Sequence, residues 1–142
     1  MRADQGDTGS LAKLVRIIWP EHTLKELERI IRDYMDSDSS AVFSEKKDGK
    51  TVGVALCSLR YDYVEGCKTS PVGYLEGVSI NEEYRHKGIA KKLLAECEKW
   101  AKEKGCTEFA GDCELTNTVS LNFFLSTGFR EENRIICFSK ML

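Results

Sequence analysis

The stretch from Val78 to Gly105 restricts the fold of this chain more than any other. An apolar run, Val78-Ser79-Ile80, ends at a basic turn, Tyr84-Arg85-His86-Lys87-Gly88. Beyond it, Ile89, Leu93, Leu94, Cys97, Trp100 and Ala101 recur at helical spacing until Gly105. That pattern predicts a strand, a glycine-bearing turn and a long amphipathic helix, in that order. The first amides of such a helix have no intrahelical partner, and the macrodipole adds roughly half a positive charge there. Arg85, His86, Lys87, Lys91 and Lys92 surround the same point with positive or chargeable groups, and Gly88 lets a ligand approach the backbone. Two readings fit the turn: an anion site that takes phosphate on backbone amides, or an ordinary strand-to-helix connection with a solvated basic edge.

The elements on either side set the fold class. Leu11, Leu14, Val15 and Ile18 predict a helix over 10–19, stopped by Pro20. Thr23-Leu24-Lys25-Glu26 has the form of a capping box, and Leu24, Leu27, Ile30, Ile31 and Tyr34 make the stripe of a second helix that ends in the Ser/Asp cluster at 36–40. Residues 41–45 and 51–59 read as strands joined by Asp48-Gly49, a strong hairpin signal. A loop is expected over 61–70 and a strand over 73–80. After the long helix come a strand over 107–113, a helix over 118–127 and a final strand over 134–141. The order describes a single α+β domain over 1–142, with a central mixed, mostly antiparallel sheet flanked by about four helices.

Composition narrows the partners. A chain of 142 residues can bury about two-thirds of its unfolded surface without disulfides or metal. A net charge of -2 argues against a general nucleic-acid or membrane-surface binder. No run approaches the ~20 apolar residues of a membrane-spanning helix. The N-terminus, with Asp4 and Asp7 and no apolar core, does not read as a signal peptide, so a cytoplasmic location is expected. Cys57, Cys67, Cys97, Cys106, Cys113 and Cys137 form no Cys-x-x-Cys pair, and only His22 and His86 supplement them. Free, mostly buried thiols and no metal are expected, with Cys97 on the apolar face of the long helix.

Two motifs in order carry a more specific message. Arg85-His86-Lys87-Gly88-Ile89-Ala90 fits the pattern Arg/Gln-x-x-Gly-x-Gly/Ala, and Asn117, Ser120, Phe123, Gly128 and Phe129 fit Asn-x-x-Ala/Ser-x-x-Phe-Tyr-x-x-x-Gly-Phe. On these residues the chain resembles the GNAT superfamily of acetyl-CoA-dependent N-acetyltransferases. Trp19-Pro20-Glu21-His22, Asp62-Tyr63-Val64-Glu65-Gly66, Ser70 to Gly77 and Asp112-Cys113-Glu114-Leu115 look, within it, like the aminoglycoside 6′-N-acetyltransferases. The resemblance covers nearly the whole chain. It implies the GNAT fold, with acetyl-CoA as co-substrate and its pyrophosphate on the backbone N–H groups of Arg85, His86, Lys87, Gly88, Ile89 and Ala90, supported by Lys91. It further implies that Val78, Ser79 and Ile80 hold the pantetheine and acetyl group through their backbone, and that Asn117 touches the cofactor besides capping its helix. Where many of these enzymes have a tyrosine that protonates the leaving thiolate, this chain has Phe124. That fold usually begins with a short strand, for which Met1 to Asp4 leave little room: the strand is vestigial or the chain starts late.

The acids belong to the acceptor side. Glu76 has apolar neighbours in Leu75 and Val78, and Asp112 ends another apolar run. Each alone reads as a satisfied polar residue of a strand. Together with Asp62, Glu65 and Glu114 near strand ends and loops, they read as an anionic cleft. The resemblance implies that Trp19 and Tyr63 line the pocket, that Glu76 and Asp112 contact the amino-sugar, and that one of these two acids accepts the proton; Glu114 joins them as a substrate contact. Asn133 stands where that family has a further acid. The expected function is transfer of an acetyl group to a primary amine, the 6′-amine of an aminoglycoside, by direct attack in a ternary complex. Its rivals are another polyamine, small amine or protein amine as acceptor, and a non-catalytic acyl-CoA-binding module. A homodimer is expected, with Ile135-Ile136-Cys137-Phe138 covered by a second subunit; the alternative is an inner strand with both faces buried.

Overall fold

A computed structural model describes all residues, 1–142. Two helices open the chain, α1 (Thr8–Ile18) and α2 (Leu24–Asp36). α1 buries Leu11, Ala12, Leu14 and Val15 and stops before Pro20, whose ring cannot continue a helix. At the start of α2 the Thr23 hydroxyl accepts the Glu26 N–H at 3.2 Å, as the capping sequence predicts. A hairpin follows, β1 (Ser40–Lys47) and β2 (Lys50–Arg60). Its turn residues Asp48 and Gly49 both take positive φ, 51° and 76°, the geometry whose twist matches that of paired strands.

β3 (Val72–Ile80) lies antiparallel to β2, and β4 (Phe109–Gly111) lies parallel to β3, giving the order β1-β2-β3-β4. Between β3 and β4 runs α3 (Ile89–Glu103), and α4 (Thr118–Ser126) follows β4. Each sheet face has its own core. Ala41, Ala55, Cys57 and Leu75 pack with Leu93, Leu94, Cys97 and Trp100 of α3, while Val42, Val54 and Leu56 pack with Leu11, Val15, Leu27 and Ile31 of α1 and α2. The α+β class, the four helices and the mixed, mostly antiparallel sheet are as expected.

Where a first strand is expected, Arg2 makes a single bridge to Phe43 of β1. The Ala3 N–H donates to the Val42 carbonyl at 2.9 Å and the Ser44 N–H to that of Met1 at 2.8 Å, so residues 1–3 cover part of the β1 edge that the sequence reading leaves open. The last strand is a correction. Residues 134–141 pair with nothing, and Ile135, Ile136 and Phe138 are 68%, 80% and 89% exposed. The buried inner strand is therefore overturned: the C-terminal segment has no partner within its own chain. The strand expected over 107–113 likewise shrinks to the three residues that pair with Gly73, Tyr74 and Leu75. Of the six cysteines, all free, Cys57, Cys97 and Cys106 are buried, Cys67 and Cys113 are half-buried and Cys137 is exposed. No group of His, Cys, Asp and Glu side chains converges as metal ligands would.

Candidate active site

The site begins where two strands part. β3 pairs with β4 only as far as Leu75↔Gly111, so the stretch from Glu76 to Ile80 has an open side toward β4. Glu76 is an extra residue against β2, because Leu56 pairs with Gly77 and Cys57 with Leu75. This bulge breaks the alternation of side chains. Leu75 and Val78 both reach the α3 core, while a side chain at Gly77 would meet Ile18 at 2.6 Å and Trp19 at 3.6 Å.

Beyond the bulge the backbone has a definite polarity. The Asn81 N–H donates to the Val52 carbonyl at 2.8 Å and Ser79 pairs with Val54, so these amides point at β2. The amides of Val78 and Ile80 alternate with them and face the open side. The Ile80 carbonyl confirms the direction, since it accepts the Arg85 Nε at 3.0 Å from that side. Of the expected trio, Val78 and Ile80 present donors to a bound chain; the Ser79 amide belongs to the sheet.

The turn supplies the next set of donors. Arg85 donates its own N–H to the Glu82 carbonyl at 3.3 Å, but the amides from His86 through Lys91 have no acceptor within the chain. The free run is thus displaced by one residue from the expected Arg85 to Ala90. His86 and Gly88 take positive φ, 62° and 79°, which folds successive N–H groups toward one point. A Cβ at Gly88 would meet nothing within 4 Å, so glycine is needed there for its φ, with open space above it. Lys91 is exposed beside these amides, whereas Lys92 is bound to Glu45 at 2.7 Å and belongs to the sheet side. The Lys92 ammonium, through its hydrogen bond first, holds the Glu45 carboxyl below the usual carboxylate range. Free amides at a helix start and an open strand side fit a long ligand with a diphosphate at one end and hydrogen-bonding amide groups along it.

On the other face of the sheet, Ser58 and Arg60 extend the row of Val54 and Leu56 along the side of β2 that meets α1 and α2. Ser58 Oγ donates to Glu76 Oε1 at 2.6 Å. Arg60 grips the same carboxylate with both prongs, Nε to Oε1 at 3.0 Å and Nη2 to Oε2 at 2.9 Å. The guanidinium carbon lies 3.5 Å from the centre of the Tyr74 ring, and the Tyr74 hydroxyl donates to Asp112 Oδ2. Burial first, then this hydrogen bond, pushes the Tyr74 phenol up, so it stays a donor. Burial and then the Glu76 charge likewise raise the Tyr34 phenol to about 12. Glu76 and Asp112 are therefore brought together through Arg60 and Tyr74, neither of which the sequence reading singled out.

Asp112 and Glu114 line a cleft of about 1140 Å³ with Arg60, Tyr74, Glu65 and Phe124. The Phe124 ring stands over Gly111 and meets Phe129 edge-on at 4.9 Å. Asn117 Oδ1 accepts the Ser120 N–H at 3.1 Å, the capping contact expected of it. Trp19 ends α1, half-buried near the bulge. Tyr63 is 80% exposed, its hydroxyl on Glu65 at 3.2 Å, outside the cleft. Asn133 reaches the other oxygen of Glu65 at 3.2 Å. The loop carrying Tyr63 is tied down by another unforeseen residue, Glu108, whose Oε1 accepts the N–H groups of Lys68 at 2.9 Å and Thr69 at 2.8 Å, and the Thr69 hydroxyl. The Thr69 bond foremost holds the Glu108 carboxyl below its usual range.

A strand pair that opens into a splay, leading to a glycine turn with free amides, matches a known architecture. Residues 10–129 fit the model of the acetyltransferase (GNAT) family. The chain belongs to that family. Two relatives are named aminoglycoside N(6′)-acetyltransferase type 1. The one from Salmonella typhimurium is 38% identical over 127 residues, 87% of this chain and 85% of the relative. The one from Acinetobacter genomosp. 13 is 35% identical over 127 residues, 89% and 87%. Among solved structures, the aminoglycoside N-acetyltransferase AAC(6′)-Iy in complex with CoA superimposes with a TM-score of 0.95 at 33% identity, covering 99% of this chain and 93% of that one. The same enzyme with a bisubstrate analogue, CoA-S-monomethyl-acetylneamine, gives 0.94 at 32% identity, covering 100% and 97%. The GNAT fold implied by the two motifs is therefore the fold of this chain.

Proposed function

We propose that this protein transfers the acetyl group of acetyl-CoA to the 6′-amine of an aminoglycoside. The observation that carries the reading is the junction at the β3 bulge: outward amides of Val78 and Ile80 run directly into a pair of carboxylates, Glu76 and Asp112. The family membership and the aminoglycoside-acetylating relatives support it.

Each part of the chain has one task in this reading. The amides from His86 to Lys91 hold the pyrophosphate, with the Lys91 ammonium adding charge. The Val78 and Ile80 amides align the pantetheine arm, and the one at Val78 polarises the thioester carbonyl as negative charge develops on its oxygen. Asn117, at the start of α4, adds a side-chain contact. Trp19 borders the sugar and Tyr63 acts from outside the cleft through its hydrogen bond to Glu65, with Glu114 taking a further ammonium. Asp112, which accepts Tyr74 at one oxygen, offers the other to the attacking ammonium, directly or through one water; Glu76 is the second acid. The deprotonated nitrogen bonds to the acyl carbon and the carbon–sulfur bond breaks. Phe124 has no proton to give, so the second proton, which the nitrogen sheds as the amide forms, reaches the thiolate through solvent, while Asp112 releases the first to bulk water.

This sequence needs no covalent enzyme intermediate and no metal, and it runs where acetyl-CoA is made and used, in the cytoplasm. No helix is long and apolar enough to cross a membrane. The same reading includes a homodimer. β4 has no partner on the edge away from β3, and the exposed Ile135, Ile136 and Phe138 form a ready strand for a second copy.

The test is acetyl transfer from acetyl-CoA to kanamycin-type aminoglycosides, polyamines and peptides, read by product mass because the protein's own thiols would react with a thiol dye. Acetylated aminoglycoside, modified at the 6′ position, is expected. Selective modification of polyamines or peptides would move the acceptor, and CoA binding without turnover of any amine would leave a binding module.

A further inference from the structure

Arg60 occupies both places that an acceptor ammonium needs. Its fork fills the two oxygens of Glu76, and its plane covers the face of Tyr74 at 3.5 Å. With Ser58 also on Oε1, the carboxylate has little left to offer. The Arg60 side chain is 43% exposed while that of Glu76 is 16% exposed, so a cation arriving from solvent meets the guanidinium first. An ammonium cannot reach Glu76 while that positive group stands in front of it.

We infer that Arg60 is a tethered competitor for the acceptor, an internal cation that must swing out of the Glu76–Tyr74 site before a substrate ammonium enters. The inference rests on the aminoglycoside reading of the same site. The displacement is feasible because the Arg60 side chain is 43% exposed, so water can take up the guanidinium as it leaves. Once Arg60 leaves, the ammonium inherits a carboxylate and an aromatic face together, the two features that recognise a cation. The consequence is a threshold in affinity. Every acceptor that uses Glu76 meets the same cost of displacing Arg60, but only a polycation recovers it through additional contacts, with Asp112, Glu114 and Glu65 around the adjoining cleft. A monoamine is discouraged by a residue that never touches the reacting atoms. Arg60 thus sets an affinity threshold that is the same for every acceptor and that a polycation clears more easily than a monoamine.

The experiment compares the parent with Arg60→Gln and Arg60→Lys, using a neamine-type aminoglycoside and glucosamine as a monoamino sugar. Steady-state kinetics and calorimetric titration of each amine into the CoA-loaded protein are both recorded. For Arg60→Gln, KM and Kd for both amines should fall about 5- to 30-fold, the combined worth of an ion pair and a cation–π contact, with any change in kcat smaller than the change in KM. Arg60→Lys, a cation without the fork, should fall between; it also serves if the glutamine variant folds poorly. A KM or Kd that rises or stays put, or a kcat that drops at constant KM, would overturn the inference and make Arg60 a clamp that aligns Glu76. If the parent acetylates the aminoglycoside and the variants bind no tighter, only the Arg60 argument fails. If the parent neither binds nor acetylates it, the acceptor reading fails as well.

Discussion

Gly111→Ala tests whether α4 is coupled to the acid at the end of β4. Gly111 pairs with Leu75 at the last rung before the strands part, and Asp112 follows it immediately. A Cβ built there would lie 2.6 Å from Phe124 Cε1 and 2.7 Å from Cζ, and the Leu75 carbonyl is 3.6 Å away. Both distances to the ring are shorter than real Cβ atoms tolerate, and an aromatic ring, unlike the end of a lysine, cannot bend aside. Phe124 must move bodily, disturbing its edge-on contact with Phe129 at 4.9 Å. Overpacking of this kind costs about 1–3 kcal/mol, or roughly 2–12 °C in Tm for a domain of this size. Because the added methyl sits one residue before Asp112, turnover should fall while acetyl-CoA affinity holds. The assay is a thermal melt of the Gly111→Ala protein beside its kinetics. Phe124→Leu in the same chain makes room and should restore part of the Tm, a coupling visible only in the double mutant. An alanine variant with parental Tm and parental turnover would refute the argument, as would a Phe124→Leu change whose effect is additive with it.

Three further outcomes are expected. Gly88→Pro fixes φ near −65° where the turn holds 79° and removes one of the free amides; the folded variant should lose acetyl-CoA affinity by calorimetry, and parental affinity would place the phosphates elsewhere. Asp112→Asn keeps the shape and removes the base, so turnover should drop about 100- to 10,000-fold with CoA binding nearly intact; unaltered turnover would remove Asp112 from the mechanism. Light scattering at micromolar protein should give the mass of a dimer, and a fully active monomer would end the proposal that the C-terminal strands are shared.

Most of the fold was legible because its signals are local. The capping box at Thr23, the Asp48-Gly49 turn, Pro20 and Gly105 each fix an element end with atoms a few residues away, and the helical stripes follow from spacing alone. The final strand failed for the complementary reason. Ile135-Ile136-Cys137-Phe138 is apolar enough to be a strand, but a strand is defined by the backbone it pairs with, and no composition states whether that backbone lies in the same chain.

The site divides along the same line. Gly88 and Asn117 declared themselves, since a left-handed turn and a helix cap are properties of a few consecutive residues. Arg60, Tyr74 and Glu108 did not, because their meaning comes from residues 16, 38 and 39–40 positions away. A partial signal existed: Ser58 and Arg60 share one face of their strand, and Tyr74 and Glu76 share one face of theirs. What the sequence hid was the register that lays these two rows against each other, and with it the bulge at Glu76. That extra residue sends Glu76 to the acceptor face while returning Val78 to the core and its amide to the splay. One irregularity in the ladder thus sets the Glu76 carboxylate and the outward Val78 amide two residues apart, and in the proposed reaction the first meets the amine and the second the thioester.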